Sequence, residues 1–202
     1  MNILVLMPTS KFMEIPAVQS LTALQAAVYM RKDNLTIAYA NGFNAAKARV
    51  YLSHYAAQQT GFDYILWLDS DHIYSSNAMY SMIEKMCTYG LEMLSAKYYV
   101  RDANLQKQTA HGNFSPEGFM KFQEPIEGDI IDCDVLGFGF LLMKPEFLKK
   151  MVDTYDKDLF KFDIDQNSTE DVYFCRQAKK LGARICFDNK NIVGHITSVV
   201  NG

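Results

Sequence analysis

Over its first 100 residues the chain alternates short apolar runs with stretches in which apolar residues recur at helical spacing. A continuous apolar run of about five residues, bounded by turn residues, is typical of a strand buried on both faces. We predict strands at 3–7, 35–40, 63–68 and 91–96, and helices at 16–30, 44–59 and 76–89. Strands and helices that alternate in this way form βαβ units. The pattern therefore predicts an α/β fold with a mainly parallel central sheet flanked by helices.

The second half of the chain is less regular. Residues 97–128 mix polar, aromatic and turn-forming positions, which predicts loops and a small antiparallel addition to the sheet. An apolar run at 134–143 is broken by Gly137 and Gly139, and isolated strand glycines often mark a close approach of the backbone to a ligand. Further elements are predicted at 145–152 (helix), 168–181 (helix) and 183–187 (strand). Because no repeat or linker interrupts the pattern, we expect a single domain over residues 1–202.

Composition narrows the possible partners and the location. The formal net charge is −3, and no run of Lys and Arg would follow a phosphate backbone, so nucleic acid is not an expected partner. The four cysteines form no CxxC pair, which argues against a zinc site and for reduced thiols. The first apolar run is short and lacks the basic start of a secretory signal, and no run approaches the ~20 residues of a membrane span. We expect a soluble, cytoplasmic protein without a membrane span.

Two aspartates follow the most apolar predicted strand, in the order Asp69-Ser70-Asp71. In open α/β sheets, ligands bind beyond the carboxyl ends of the strands, and residues two apart in an extended chain point the same way. Asp69 and Asp71 are therefore candidates to hold one cation. Magnesium or manganese bound by carboxylates commonly bridges to substrate phosphates. The alternative is that Asp69 and Ser70 begin a turn and that Asp71 is a solvated carboxylate.

The order of short motifs along the chain resembles that of a known class of enzymes. These motifs are Pro8-Thr9-Ser10, Ala48-Arg49-Val50, Asp69-Ser70-Asp71, the apolar segment from Leu136 to Phe140, Glu170-Asp171 and Gly194-His195. The chain resembles the GT-A class of nucleotide-sugar glycosyltransferases, which have a single-domain, Rossmann-like fold. More narrowly, it is similar to a small glycosyltransferase domain encoded by large algal viruses, the chloroviruses.

The resemblance implies a metal-dependent glycosyltransferase. A sugar would pass from a nucleoside-diphosphate sugar, with a UDP-sugar favoured, to a glycan or another hydroxyl acceptor. Residues 1–100 would form the nucleotide-binding half and residues 101–202 the acceptor and sugar half. The implied cofactor is Mn²⁺ or Mg²⁺, held by Asp69, Asp71 and His195. A lone histidine is more often structural, which is the alternative for His195.

Donor binding is implied for a larger set of positions: Pro8, Thr9, Ser10, Asn41, Arg49, Asp69, Ser70, Gly137 and Gly139. Arg49 would contact the diphosphate or brace Asp69, since its planar guanidinium bonds carboxylates and phosphates with two donors at once. The alternatives are a turn and helix cap for Pro8 to Ser10, an Asn-Gly turn for Asn41 and a solvated helix residue for Arg49. Weaker candidates for sugar contacts are Tyr98, Tyr99 and Arg101.

The candidate bases are Glu170 and Asp171. Adjacent helical residues point ~100° apart, so only one of the two can face the site squarely. A capping box with Ser168 as the cap and Asp171 three residues on is the alternative, and it would leave Glu170 freer. Should neither residue act, Asp134 and Asp132 are the next candidates.

The remaining histidines carry weaker expectations. His72 directly follows Asp71 but is predicted to point the other way, and His54 and His111 have no predicted partner.

Three other functions compete with the glycosyltransferase prediction. A haloacid-dehalogenase-like phosphohydrolase would use Asp69 as its nucleophile, but its paired aspartates normally follow the first strand rather than the third. A nucleotidyltransferase would carry a Gly-rich, basic loop after the first strand, which is missing here. A carbohydrate-binding module without turnover would have no need of both Asp69 and Asp71.

Overall fold

A computed structural model describes residues 1–9, 12–100, 108–116, 118–162 and 168–196. The strands are β1 (Asn2–Thr9), β2 (Asn34–Asn41), β3 (Tyr64–Leu68), β4 (His72–Ile73), β5 (Met93–Lys97), β6 (Gln108–Ser115), β7 (Gly118–Gln123), β8 (Ile130–Asp132), β9 (Phe140–Met143), β10 (Ile185–Ile192) and β11 (Gly194–His195). The helices are α1 (Ile15–Met30), α2 (Ala45–Ala57), α3 (Ala78–Tyr89), α4 (Pro145–Tyr155) and α5 (Glu170–Lys180), with a 3₁₀ turn at Asp156–Leu159.

The central sheet has seven strands in the order β2-β1-β3-β9-β5-β10-β8. The pairs β1–β2, β1–β3 and β5–β10 are parallel, whereas β9 runs antiparallel to both of its neighbours, β3 and β5. Strands β1, β2, β3, β5 and β10 consequently share one direction, and only β8 and β9 of this sheet oppose it. Small antiparallel pairs, β6–β7 and β4–β11, lie beside it. The predicted mixed α/β fold with a mainly parallel sheet and a small antiparallel addition is confirmed.

Helices cover both faces of the sheet because its strands are apolar on both sides. In β1, Leu4 and Leu6 pack into one core layer with α2, α4 and α5, while Val5 packs into the other layer with α1 and α3. This alternation follows from the period of two in a strand. In β3, Trp67 faces the first layer and Leu66 the second, and both are fully buried. The sheet is thereby held rigid up to the point where Asp69 begins.

The apolar run predicted over 134–143 forms a strand only from Phe140 onward. Before it, side chains rather than a neighbouring strand satisfy the backbone: Gly137 donates its N–H to His111 Nδ1 at 3.1 Å and accepts the Ser95 hydroxyl at 2.8 Å. Buried backbone groups need such partners. Sequence patterning detects the apolar character of this segment but not the polar side chains that replace strand pairing.

The start of α5 differs from the predicted capping box. Thr169 is the N-cap residue, without a side-chain capping bond, and Glu170 is the first helical residue. Ser168 donates instead to the carbonyl of Thr169 at 3.3 Å. The capping box with Ser168 is therefore wrong, and both acidic residues lie in the first turn, where the helix dipole favours negative charge.

Strand β4 pairs antiparallel with β11, so that His195 lies opposite His72 and Gly194 opposite Ile73. This short ladder brings the end of the described chain back to the segment that follows Asp71. Within the described ranges, each helix is too short or too polar to cross a membrane.

Candidate active site

A cleft of about 250 Å³ opens at the carboxyl ends of β1 and β3, beside the start of α2. It is lined by Pro8, Thr9, Phe43, Ala45, Ala48, Arg49, Asp69, Asp71 and Glu170. Parallel strands end at one edge of a sheet, and that edge is where ligands of such folds bind. The structure thus brings together six of the predicted site residues and adds three, Phe43, Ala45 and Ala48, that were not predicted to line the site.

The first group of charged residues at the cleft, the arginine cluster, consists of Arg49, Asp69 and Glu170. The Nη2 atom of Arg49 lies 3.0 Å from Asp69 Oδ1 and 3.3 Å from Asp69 Oδ2, and its Nε atom lies 3.5 Å from Glu170 Oε1. Both carboxylate oxygens of Asp69 face the guanidinium. This geometry favours bracing of Asp69 over the nucleophilic role that a phosphohydrolase would give it.

Arg49 is only 4% exposed, and its guanidinium lies 5.0 Å from the Phe138 ring and 5.7 Å from the Trp67 ring. Burial lowers the pKa of Arg49, but the charges of Asp69 and Glu170 outweigh it and raise that pKa above its usual value. Its Nη1 atom has no hydrogen-bond partner in the described part of the chain. A buried, permanently charged donor at a cleft is suited to an anionic ligand.

The second group, the histidine cluster, consists of Asp71, His72 and His195. His72 Nδ1 lies 3.0 Å from Asp71 Oδ1, and His195 Nε2 lies 3.5 Å from Asp71 Oδ2. The prediction that His72 points away from Asp71 is wrong, because its pairing with β11 turns the ring toward the carboxylate. Burial raises the pKa of Asp71, but the bonds from His195 and His72 dominate and hold that pKa well below its usual value.

A backbone carbonyl orients His195. The Nδ1 atom of His195 lies 3.1 Å from the carbonyl oxygen of Tyr99, and a bond to a carbonyl requires the proton on Nδ1. In the neutral ring, Nε2 then carries the lone pair, and this atom faces Asp71. The Tyr99 hydroxyl in turn donates to Glu124 at 2.8 Å, which fixes the residue whose carbonyl holds His195. A histidine oriented in this way is typical of a metal ligand.

Glu170 and Asp171 differ in their surroundings. Glu170 is 8% exposed and lines the cleft, and burial raises its pKa although Arg49 opposes that shift. Asp171 is half-buried; its Oδ1 accepts the Thr169 hydroxyl and the backbone N–H of Val172. The charge of Asp171 acts on Arg49 and on the buried Tyr98, which places it close to the arginine cluster.

Gly137 and Gly139 lie buried beneath side chains rather than along the cleft. A Cβ atom on Gly137 would come within 1.9 Å of the Tyr98 hydroxyl, and one on Gly139 within 2.4 Å of His72 Nε2. Gly139 also donates its N–H to the Tyr98 hydroxyl and accepts the N–H of Asp69, both at 3.1 Å. The glycines therefore allow close packing of Tyr98 and His72, a different role from the sugar contact predicted for them.

The other candidate donor residues are more dispersed. Thr9 pairs in register with Asn41, which is exposed at the end of β2, and Ser70 is half-buried between the two aspartates. Tyr98 is buried and bonded to Gly139. Ser10 and Arg101 lie outside the described residues.

The reserve candidates for the base lie away from the cleft. Asp132 forms an ion pair with Arg184, and Asp134 forms one with Lys179, in a separate groove beside β8 and β10. Of the two histidines without a predicted partner, His54 pairs with Asp156 at 3.3 Å, and the buried His111 bonds Gly137 and the carbonyl of Ala96.

The cleft residues missed by sequence reasoning are Phe43, Ala45 and Ala48. Asn44 caps α2 by accepting the N–H of Lys47 at 2.9 Å, so the first turn of α2 presents Ala45, Ala48 and Arg49 to the cleft. The three-to-four residue spacing of these positions, together with a capping Asn, is the signal that would have found them.

Comparisons with known proteins agree with this architecture. A family model described as Glycosyl transferase family 2 matches residues 24–146. The structure of A197 from STIV has a TM-score of 0.69 at 17% identity, over 98% of this chain and 87% of that one.

Longer chains match as well. GalNAc-T7 with UDP, GalNAc and Mn²⁺ has a TM-score of 0.62 at 11% identity, over 98% of this chain and 43% of that one. S. aureus TarS 1-349 in complex with UDP-GlcNAc has a TM-score of 0.58 at 16% identity, over 98% of this chain and 59% of that one. No curated protein sequence matches the chain. At these identities the structural likenesses show the fold alone.

Proposed function

The chain belongs to glycosyl transferase family 2, and from this premise we propose that it transfers a sugar from a UDP-sugar to a hydroxyl group of a glycan with the help of a divalent cation. The observation that carries this proposal is the pairing of β4 with β11, which sets the lone pair of His195 opposite the carboxylate of Asp71 at the edge of the cleft. Of the structural neighbours, GalNAc-T7 is described with UDP and Mn²⁺ and TarS with UDP-GlcNAc, which supports the choice of nucleotide and cation.

The donor atoms of Asp71 and His195 fit a cation such as Mn²⁺. Two ligands bound at about 2.1 Å and at right angles to each other lie about 3 Å apart, and Asp71 Oδ2 is 3.5 Å from His195 Nε2. Manganese accepts a carboxylate together with an imidazole, and because the Tyr99 carbonyl holds the Nδ1 proton of His195, Nε2 is the nitrogen that would bind the cation in place of a proton. Asp71 and His195 would hold the cation here, and it would supply positive charge against the negative charge that develops on the departing nucleotide.

Arg49 contributes to donor binding in two ways. It holds Asp69 at the end of β3, where the sheet leads into the cleft, so Asp69 reinforces the position of the loop instead of binding the cation directly. Its own charge and its Nη1 donor favour a bound diphosphate. Pro8, Thr9 and Asn41, at the ends of β1 and β2, are the proposed contacts of the nucleoside, with Ser70 between the two clusters.

Asp171 is the proposed base for the acceptor hydroxyl. Glu170 is occupied by Arg49 and positions the guanidinium, whereas Asp171 lies at the more open side of the first turn of α5. A carboxylate that removes the proton of the acceptor as the new glycosidic bond forms is what an inverting transfer requires.

The test is a panel of nucleotide sugars incubated with Mn²⁺, with Mg²⁺ or with excess chelator, with release of nucleoside diphosphate as the readout. We expect release from UDP-sugars with either cation, at least as fast with Mn²⁺, and none in chelator. The Asp71→Asn variant should lose this release, while Asp153→Asn, the same change at an exposed residue of α4, should keep it.

Full turnover in chelator would refute the metal dependence. Rapid hydrolysis of simple phosphomonoesters with a phosphoryl group trapped on Asp69 would instead establish the phosphohydrolase alternative.

A further inference from the structure

We infer that His72 is a positioning residue that holds one oxygen of Asp71 so that the other oxygen faces His195, and that His72 is not itself a ligand of the cation. The inference rests on the metal site of the proposed function and goes beyond it, because it assigns different tasks to two histidines that both contact the same carboxylate.

The first observation is the division of the two carboxylate oxygens. His72 Nδ1 contacts Oδ1 of Asp71 at 3.0 Å, and His195 Nε2 lies 3.5 Å from Oδ2. An imidazole that donates its Nδ1–H to a carboxylate has no lone pair left on that nitrogen. The contact orients Asp71 while leaving Oδ2, the oxygen on the side of His195, to bind the cation.

The second observation is the packing of the two rings. His72 and His195 are stacked with their centroids 4.5 Å apart and their planes only 15° from parallel. An imidazole nitrogen binds a metal through a lone pair in the plane of its ring, so the ion must lie close to that plane. A single ion cannot lie in two nearly parallel planes that are stacked on each other. Ligation by His195 in this arrangement therefore excludes ligation of the same ion by His72.

The third observation concerns the other ring nitrogen. His72 is 1% exposed, and its Nε2 has no hydrogen-bond partner among the described residues. The Gly139 backbone lies against this side of the ring, where even a Cβ atom would come within 2.4 Å of Nε2, so little room is left there for an ion and its water ligands. The Tyr98 ring packs edge-on against His72 at 4.6 Å. The close packing fixes the ring and thereby fixes the direction in which Nδ1 points.

The experiment compares two substitutions of nearly equal shape, His72→Asn and His72→Leu. Both lose the ring and its stacking, but the Asn amide can replace the Nδ1–H donor and Leu cannot. We expect Leu to weaken Mn²⁺ affinity by about 10- to 100-fold, the usual effect of losing a residue that orients a ligand, and Asn to recover most of it. The free Mn²⁺ signal in electron paramagnetic resonance measures this affinity without any turnover. His54→Leu, at a histidine on α2 paired with Asp156, is the control for adventitious binding.

The number of imidazole ligands separates positioning from ligation. Electron spin-echo modulation from nitrogen bound to Mn²⁺ should report one imidazole in the wild type, none in His195→Ala, and still one in both His72 variants. Two imidazoles in the wild type, or loss of one in His72→Leu, would make His72 a ligand and overturn the inference. Equal weakening by Asn and Leu would also overturn it, since that result indicates packing alone.

Failure of the inference and failure of the proposed function give different results. A wild-type protein that binds Mn²⁺ through one imidazole, with His72→Leu binding it equally well, retains the metal site and refutes the role of His72. A wild-type protein without any nitrogen-coupled Mn²⁺ refutes both.

Discussion

Asp69 and Asp71 are two residues apart at the end of the same strand, yet the protein surrounds them with opposite kinds of partner. Asp69 faces a buried guanidinium that stays charged, and Asp71 lies between two imidazole rings. A carboxylate neutralised by Arg already has its counter-charge and serves to hold the loop. A carboxylate between histidines can share a cation with one of them. In the proposed function, the D-x-D pattern therefore contains one residue that braces the loop and one that binds the cation.

The largest expected effect tests whether Asp171 or Glu170 is the base. Asp171→Asn should reduce turnover by ~10²–10⁴, the span of a positioned general base, with little change in donor affinity. Glu170→Gln should act through Arg49 and weaken donor binding together with turnover. The two variants are made separately and assayed for both quantities. If Glu170→Gln lowers turnover alone and Asp171→Asn is silent, the base belongs to the arginine cluster.

Asp71→Asn should reduce cation-dependent turnover by about 10³-fold, equivalent to about 4 kcal/mol of transition-state stabilisation. The free energy of unfolding should fall as well, because His72 and His195 hold the pKa of Asp71 well below its usual value and so stabilise its charged form in the folded protein. Mn²⁺ titration and urea denaturation of the same preparation measure the two quantities. Comparable loss of Mn²⁺ affinity in Asp69→Asn would erase the contrast between the two aspartates.

Arg49→Met should reduce the free energy of unfolding by about 3 kcal/mol, because the substitution leaves Glu170 and Asp69 without their counter-charge. Arg31→Met is the matched control: that guanidinium lies over the Tyr80 ring at 4.0 Å, and its loss should cost about 1 kcal/mol or less. Urea denaturation measures the free energy of unfolding of both variants. Equal and small effects would mean that Arg49 serves the ligand without stabilising the fold.

Gly139→Ala should cost about 2 kcal/mol of stability, within the usual range for forcing an extra methyl group into a packed site, because the new Cβ meets His72. Gly194→Ala is a control beside His195, since its Cβ would meet Ile73 at an ordinary 3.5 Å. Thermal unfolding of the two variants gives the comparison. A neutral Gly139→Ala would show that the ring of His72 is free to move.

The smallest expected effect is a pH dependence of stability that comes from the buried His111 and not from the two histidines beside Asp71. Burial lowers the pKa of His111 to about 3, below the ~6.5 of an unfolded chain. Between these values the unfolded chain binds the extra proton, so His111 should lower stability as the pH falls below about 6.5. At pH 5.5 the loss should be about 1.4 kcal/mol relative to pH 7.5. His111→Asn should flatten this part of the urea-denaturation pH profile, and an unchanged slope would contradict the assignment.

Much of the fold follows from local patterns. The βαβ alternation over the first 100 residues gives β1, β2, β3 and β5 with their helices, because strands buried on both faces are apolar throughout. The predicted class, a GT-A glycosyltransferase, is confirmed by the family match together with the fold of the structural neighbours, and the nucleotide-sugar donor stays a prediction. The narrower likeness to an algal-virus domain stays a prediction, as do the division into halves, the acceptor and the cytoplasmic location.

The site was harder to predict wherever it depends on pairing between distant segments. The sequence places Asp69 and Asp71 at a strand end, but only the ladder between β4 and β11 turns His72 toward Asp71. Likewise, Gly137 and Gly139 were read as pocket residues, since their sequence does not reveal that Tyr98 and His72 pack above them. The pattern of apolar residues along a sequence predicts that a segment is buried, but it does not predict which distant side chains will cover that segment.

Strand β9 has a consequence for how the chain can fold. β3 and β5 do not pair directly; β9, from the last third of the chain, lies between them, with Leu142 opposite both Leu66 and Leu94. A nascent chain that ends before this segment would hold the partial sheet β2-β1-β3 with an unpaired apolar edge at β3, and β5 without either of its neighbours, because β10 also follows β9 in the chain. Bringing β9 back to β5 closes a long loop and costs conformational entropy. The contacts of the completed sheet offset this cost, and they form only when β9 is in place. The first half should therefore need a chaperone or the rest of the chain to stay soluble during synthesis, and assembly of the cleft should be among the last events of folding.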